Sequence, residues 1–289
     1  MFSANQNNYD GEARIMKNEP TISIYIVHYS LLVDREKKLN EMLSESNVNA
    51  EWITEKNYFK FLPVIYDSKR TLGISNKIIG MDLGVNSRSL TVSRRKARLQ
   101  GYVLYLRSYI SKNQKITTGS LPPQSKLPTK WFELSCMHLS AIKNGILSGS
   151  DWILVLEDDA LPTRTAFRLV NQIVKKSYNR KTWINLNSGA GLKWTLSDPI
   201  PDENGLFLVK PSSTRCSVAY LISKDLGTKI IESAECDGIP DWLPIDVYFQ
   251  VMLRKFSAKA YWQEPPSFAQ GSETGEYKSQ LEGHRKINS

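Results

Sequence analysis

Three consecutive carboxylates, Glu157-Asp158-Asp159, directly follow the apolar run Trp152–Leu156. Such a run predicts a central β-strand that is buried on both faces. Because an unpaired carboxylate is costly to bury, the acids are expected where the strand leaves the core, at the carboxyl edge of a sheet. Ligands bind at that edge in open α/β sheets.

Clustered carboxylate oxygens at such an edge suit a hard divalent cation. Mg²⁺ or Mn²⁺ held by few protein carboxylates usually also binds a phosphate, so the pattern favours a metal–phosphate site. The alternative is a solvated acidic turn that binds nothing.

The rest of the chain alternates between strand and helix patterns, which predicts an α/β fold. A strand over 22–27, a helix beginning near Asp34 and a strand over 50–54 form a βαβ opening. Pro162 is expected at the first position of a helix that runs to about Lys176. Further helices are predicted over 91–111, 132–147, 224–233 and 244–255, and further strands over 183–187, 206–210, 218–223 and 259–263.

Composition and charge narrow the function classes. The 289 residues carry a formal net charge of +9, and residues 88–130 contain ten Lys and Arg and no acid. Such a block attracts a nucleotide diphosphate, an anionic glycan, a membrane surface or nucleic acid. No apolar run approaches the roughly 20 residues that span a bilayer. The polar start and three unclustered cysteines favour a cytoplasmic protein.

Four ordered segments carry a family resemblance: Ile24–Val27 with Asp34-Arg35, Glu133–Ser140, Leu154–Ala160, and Pro244–Asp246 followed by Tyr261 and Pro265-Pro266. Together they resemble glycosyltransferase family 25, which contains bacterial lipopolysaccharide galactosyltransferases and collagen galactosyltransferase domains. The resemblance covers about residues 22–280. It implies a single GT-A (Rossmann-like) domain over 21–280, with a mostly parallel central sheet flanked by helices. Residues 1–20 and 281–289 are predicted tails, and 112–130 a flexible loop.

The resemblance also implies a donor site for a UDP-sugar and a cofactor, Mn²⁺ or Mg²⁺. Asp159 would coordinate the metal that bridges the diphosphate, and Glu157 would contact the ribose side. Asp158 would be a second ligand through water or an orienting residue. Because the family inverts the anomeric centre, a general base must activate the acceptor hydroxyl, and Asp246 is the candidate. Otherwise Asp246 is an acid favoured by its helix N-terminus.

Further candidates follow from their positions. Arg35 begins the first helix, where a base or phosphate would approach, or is a surface arginine. His138 lies on an inward helix face, as a donor-site residue or a satisfied core histidine. Gln270 and His284 are candidates for a third metal ligand, and Trp242 for an acceptor platform.

Two other function classes stay open. A nucleotidyltransferase or phosphotransferase would use the same carboxylates, but no glycine-rich phosphate loop follows the first strand. A protein that binds nucleic acid or an anionic surface would use residues 88–130. No nucleic-acid-binding module is recognisable, so no specific nucleic acid is expected as a partner. The expected partners are a nucleotide sugar and a glycan or hydroxylated acceptor, with peripheral association through 88–130.

Overall fold

The structure, a computed structural model, describes residues 19–62, 129–176, 181–189, 192, 194–195, 198–240 and 243–277. Its strands are β1 Ile22–His28, β2 Glu51–Thr54, β3 Trp152–Glu157, β4 Ala160–Pro162, β5 Thr182–Asn185, β6 Leu206–Val209, β7 Ala219–Ser223, β8 Lys259–Gln263 and β9 Phe268–Gln270. Its helices are α1 Val33–Glu45, α2 Thr129–Leu147, α3 Ala166–Lys175, α4 Lys224–Asp237, α5 Ile245–Lys255 and α6 Gly271–Thr274, with a 3₁₀ turn at Pro211–Ser213.

The central sheet of the described residues has seven strands in the order β2-β1-β3-β7-β5-β8-β6. Strands β1, β2, β3, β5 and β8 run in one direction, whereas β7 and β6 are antiparallel to their neighbours. The architecture is therefore α/β with a mixed sheet, compatible with a Rossmann-like fold. The carboxyl ends of β1, β3, β5 and β8 meet at one edge, where β7 begins.

Side chains of β3 alternate between two apolar layers. Ile153 and Val155 pack in the layer that contains α2, α4 and α5, while Trp152, Leu154 and Leu156 pack in the layer that contains α1 and α3. All five are buried. Burying an aliphatic side chain of this size contributes about 1.5–3 kcal/mol. The prediction of a strand buried on both faces is confirmed.

The prediction of a helix from Pro162 is wrong. Ala160–Pro162 forms β4, which pairs antiparallel with β9, and the helix begins at Ala166. Proline is tolerated in this two-stranded sheet because it occupies an edge strand, where its missing N–H costs little. The partner strand β9 follows Pro265, in a segment for which the sequence predicted no strand.

Helix α2 begins at Thr129, inside the predicted loop over 112–130. The rest of that loop, the predicted helix over 91–111, nearly all of the basic block and residues 281–289 lie outside the described residues. Of the predicted tail over 1–20, only residues 19 and 20 are described. Among the described helices, none combines the length and apolar character needed to cross a membrane.

Candidate functional site

The three acids leave β3 at the carboxyl edge of the sheet. Glu157 is half-buried, and Asp158 and Asp159 are only 7% and 5% exposed. Burial of both aspartates is incompatible with a solvated acidic turn. Because a buried carboxylate requires compensation, the partners of each acid determine what that acid can do.

Asp158 is compensated by two residues from the first βα unit. Arg35 Nη1 donates to Asp158 Oδ1 over 2.6 Å, and His28 Nδ1 lies 3.1 Å from Asp158 Oδ2. His28 ends β1, the parallel neighbour of β3, and Arg35 lies in the first turn of α1. Both oxygens of Asp158 are therefore engaged, which favours the orienting role over that of a metal ligand.

Glu157 is held through one oxygen. Ser217 Oγ donates to Glu157 Oε1 over 2.7 Å, and His138 Nε2 lies 3.3 Å from the same oxygen. His138 is fully buried in α2, with Nδ1 3.2 Å from the Tyr220 hydroxyl. His138 thus lies next to an acid of the site and also packs in the core, so both interpretations of this residue stay open. Both contacts use Oε1, which leaves Glu157 Oε2 for a ligand.

Among the described residues, no basic side chain pairs with Asp159, although the Arg35 charge lowers its pKa. Ser272 Oγ donates to Asp159 Oδ2 over 2.9 Å, while the buried Asp159 Oδ1 has no hydrogen-bond partner within the described ranges. Burial and the neighbouring Glu157 charge raise the pKa of Asp159 to about 6, and the Ser272 hydrogen bond opposes this shift. A buried carboxylate oxygen with excess negative charge around it fits a bound cation.

Asp246 is distant from the three acids in sequence, but the charges of Glu157 and His138 influence its pKa. It lies in the first turn of α5 and is half-buried. Burial raises the pKa of Asp246, a backbone N–H bond from Val247 lowers it, the Glu157 charge raises it and His138 lowers it. The Phe249 ring, one turn after Asp246 on α5, lies 6.3 Å from the His138 ring, so α5 packs next to the helix that carries His138.

Gln270 ends β9 opposite Ala160, the residue after Asp159, and is half-buried. This pairing places the backbone of Gln270 next to the residue after Asp159, and its role as a third ligand stays a prediction. His284 and Trp242 lie outside the described residues. Trp152, which the sequence placed in the core, is buried there.

Sequence reasoning missed several residues of the site. His28 lies one residue beyond the strand predicted over 22–27, and its place next to the end of that strand was its only sequence signal. Ser272 lies in a segment for which no helix or strand was predicted, and no sequence signal indicated Ser217. Cys216 also lies here: burial and the Asp246 charge raise the pKa of its thiol to about 12, so it is not an activated nucleophile.

Within the described ranges, no three His, Cys, Asp or Glu side chains are grouped so that they could hold a metal ion. No protein-family model matches the chain, and no curated protein matches it. The glycosyltransferase resemblance rests on the four sequence segments.

Proposed function

We propose that this protein is a metal-dependent, inverting glycosyltransferase of the GT-A fold. It would transfer a hexose, galactose by the family resemblance, from a UDP-sugar to a glycan or hydroxylated acceptor. The observation that carries the proposal is buried Asp159 at the carboxyl edge of the sheet, whose Oδ1 has no hydrogen-bond partner among the described residues. The second acid, Asp246, lies in the first turn of α5, whose Phe249 ring is 6.3 Å from the ring of His138.

Asp159 would hold Mn²⁺ or Mg²⁺, with Gln270 as a further ligand and Asp158 as the residue that orients the turn. When bound, the cation stabilises the negative charge that develops on the departing UDP. Glu157 presents Oε2 to the ribose hydroxyls because Ser217 and His138 hold its other oxygen. Arg35 supplies the positive charge next to the diphosphate.

Asp246 would act as the general base. The acceptor oxygen forms a bond to the anomeric carbon, the bond from that carbon to the UDP oxygen breaks, and the acceptor proton moves to Asp246. Its raised pKa brings the carboxylate closer to the pH at which a base works best. Such a base contributes roughly 10²–10⁴ in rate.

Metal and nucleotide should bind cooperatively. One uncompensated carboxylate attracts a free cation only weakly, while the excess of acids repels a free diphosphate. In the metal–diphosphate complex the diphosphate supplies further ligands to the cation, and the cation offsets the repulsion between the diphosphate and the acids. We therefore expect UDP with Mn²⁺ to raise the melting temperature by more than the sum of the two added separately.

A thermal-shift screen of nucleotide sugars, each with Mn²⁺ or with EDTA, tests the proposal. We expect selective stabilisation by one UDP-sugar with Mn²⁺, and its loss in Asp159→Ala with the fold intact. Glu232→Gln, an exposed acid on α4, is the matched control and should behave as wild type. Stabilisation by nucleoside triphosphates alone would favour the nucleotidyltransferase alternative, and no stabilisation by any nucleotide sugar would refute the proposal.

A further inference from the structure

The segment Gly271–Tyr277, here called the C-terminal strap, contacts the end of β3 at two points. Gly271 N–H donates to the Asp159 carbonyl over 2.8 Å, and Ser272 Oγ donates to Asp159 Oδ2 over 2.9 Å. Through these bonds the strap fixes both the backbone and the carboxylate of Asp159. The Ser272 bond determines that Oδ1 is the oxygen left unpartnered.

The last residue of the strap, Tyr277, contacts Arg35, which is the partner of Asp158. The Tyr277 ring lies under the Arg35 guanidinium, 4.8 Å from ring centroid to Cζ, while Arg35 Nη1 donates to Asp158. The guanidinium is thus held between an aromatic ring and a carboxylate. Glu276 pairs with Lys38 on the same helix, and the Tyr277 N–H donates to the Gly271 carbonyl over 3.0 Å.

We propose that Ser272 and Tyr277 are positioning residues for the metal–diphosphate site. Ser272 aims the Asp159 carboxylate, and Tyr277 fixes Arg35 next to the phosphates. This inference rests on the proposed function, and it assigns to the strap a role in donor affinity that neither the motifs nor the resemblance indicates.

The physical reason is preorganisation. Without the Ser272 hydroxyl, the Asp159 carboxylate can rotate and loses its hydrogen bond, so binding the cation must also order the side chain. Without the Tyr277 ring, Arg35 loses a cation–π contact, which contributes most where the cation is partly desolvated. Both losses weaken donor binding and leave the acceptor side and Asp246 unchanged.

Gly271 provides an independent way to disturb Tyr277. A Cβ at position 271 would lie 2.4 Å from Tyr277 Cδ2 and 3.2 Å from the Asp159 carbonyl oxygen. Gly271→Ala must therefore displace the Tyr277 ring without removing it.

Calorimetric titration of each variant with UDP and Mn²⁺, together with steady-state kinetics, tests the inference. We expect Ser272→Ala, Tyr277→Ala and Gly271→Ala each to raise the Kd for Mn²⁺–UDP about tenfold, with kcat at saturating donor near wild type. Ser272→Thr and Tyr277→Phe keep the hydroxyl and the ring and should restore the affinity. Thr274→Ala is the control, because the Thr274 hydroxyl donates within the strap, to the Gly271 carbonyl, and to no other described residue.

Each outcome decides between the two proposals. Wild-type Kd values in Ser272→Ala and Tyr277→Ala would overturn the strap inference and leave the proposed function standing. Failure of the wild-type protein itself to bind Mn²⁺–UDP would overturn both. If a variant does not fold, hydrogen exchange of the wild-type protein decides: Mn²⁺–UDP should slow exchange across Gly271–Tyr277, and unchanged exchange there would overturn the inference.

Discussion

Asp159→Asn should make the metal-free protein more stable at neutral pH. The pKa of Asp159 is raised from an ordinary 3.8 to about 6, first by burial and then by the Glu157 charge. At about 1.36 kcal/mol per pKa unit, keeping this carboxylate ionised costs the folded state about 3 kcal/mol above pH 6. Asparagine removes the charge at the same size and keeps an acceptor or donor for Ser272.

The gain is smaller than that cost because one polar atom of the amide replaces Oδ1, which has no partner. An unsatisfied buried polar group costs roughly 1–2 kcal/mol, so the net stabilisation is about 1–2 kcal/mol. For a chain of this size it corresponds to a rise of roughly 2–8 °C in melting temperature.

The stability difference between Asp159→Asn and wild type should depend on pH. A carboxyl group with a raised folded-state pKa destabilises the fold above that pKa, and the penalty disappears as the pH falls from about 6 towards 3.8 and the group becomes protonated. The advantage of Asp159→Asn should therefore be full at pH 7.5 and smaller at pH 5. Glu232→Gln removes an exposed acid and should stay within about 0.5 kcal/mol of wild type at both pH values.

Urea unfolding in EDTA at pH 7.5 and pH 5 measures these differences. When urea unfolding is repeated with Mn²⁺ and UDP in place of EDTA, wild type should become more stable than Asp159→Asn. A ligand at about 100 times its Kd stabilises the wild type by about 2.7 kcal/mol, and the variant loses this site. If wild type is the more stable protein at pH 7.5 in EDTA, the charge of Asp159 is already compensated and the reasoning is wrong.

Two further substitutions test other parts of the site. Asp246→Asn should keep the Kd for Mn²⁺–UDP near wild type and lower kcat at least about a hundredfold, measured by sugar transfer at saturating donor; normal turnover would remove Asp246 as the base. Arg215 is 1% exposed and donates to the carbonyls of Asn187 and Gln263 and to the Glu264 carboxylate. Arg215→Met removes these three bonds, one of them to a carboxylate that is 27% exposed, and should lower the free energy of unfolding by about 2–4 kcal/mol in urea titrations; a loss below about 1 kcal/mol would contradict this account.

Local sequence patterns predicted the part of the site that depends on β3. Few structures are compatible with an apolar run followed by acids, because the run must be buried and the acids must lie where the chain leaves the core. The first strand, Ile22–His28, and the helix Ile245–Lys255 that carries Asp246 were found for the same reason: their apolar spacing is regular over most of their length. These elements determine which residues reach the carboxyl edge.

Pairings between distant segments were not predictable in this way. Strand β7 runs antiparallel between β3 and β5, although its apolar residues are equally compatible with a parallel strand. Ala160–Pro162 pairs with Phe268–Gln270, and neither three-residue segment shows a strand pattern by itself. Ser272 reaches Asp159 only because that pairing forms, so its role depends on a contact that no local pattern contains.

The three neighbouring acids illustrate why residue type alone does not assign roles in a site. Asp158 lies against a buried guanidinium and a histidine, so its charge is offset and it is suited to orient the turn. Glu157 shares one oxygen between Ser217 and His138 and keeps the other for a ligand. Of the described residues, only Ser272 bonds to the Asp159 carboxylate through a side chain, so much of its negative charge is not neutralised by the fold. The acid with the least internal compensation is the one whose ionised form an external cation stabilises most. The partners that create this difference come from β1, α1, α2, the residues just before β7 and the C-terminal strap rather than from the acidic segment itself.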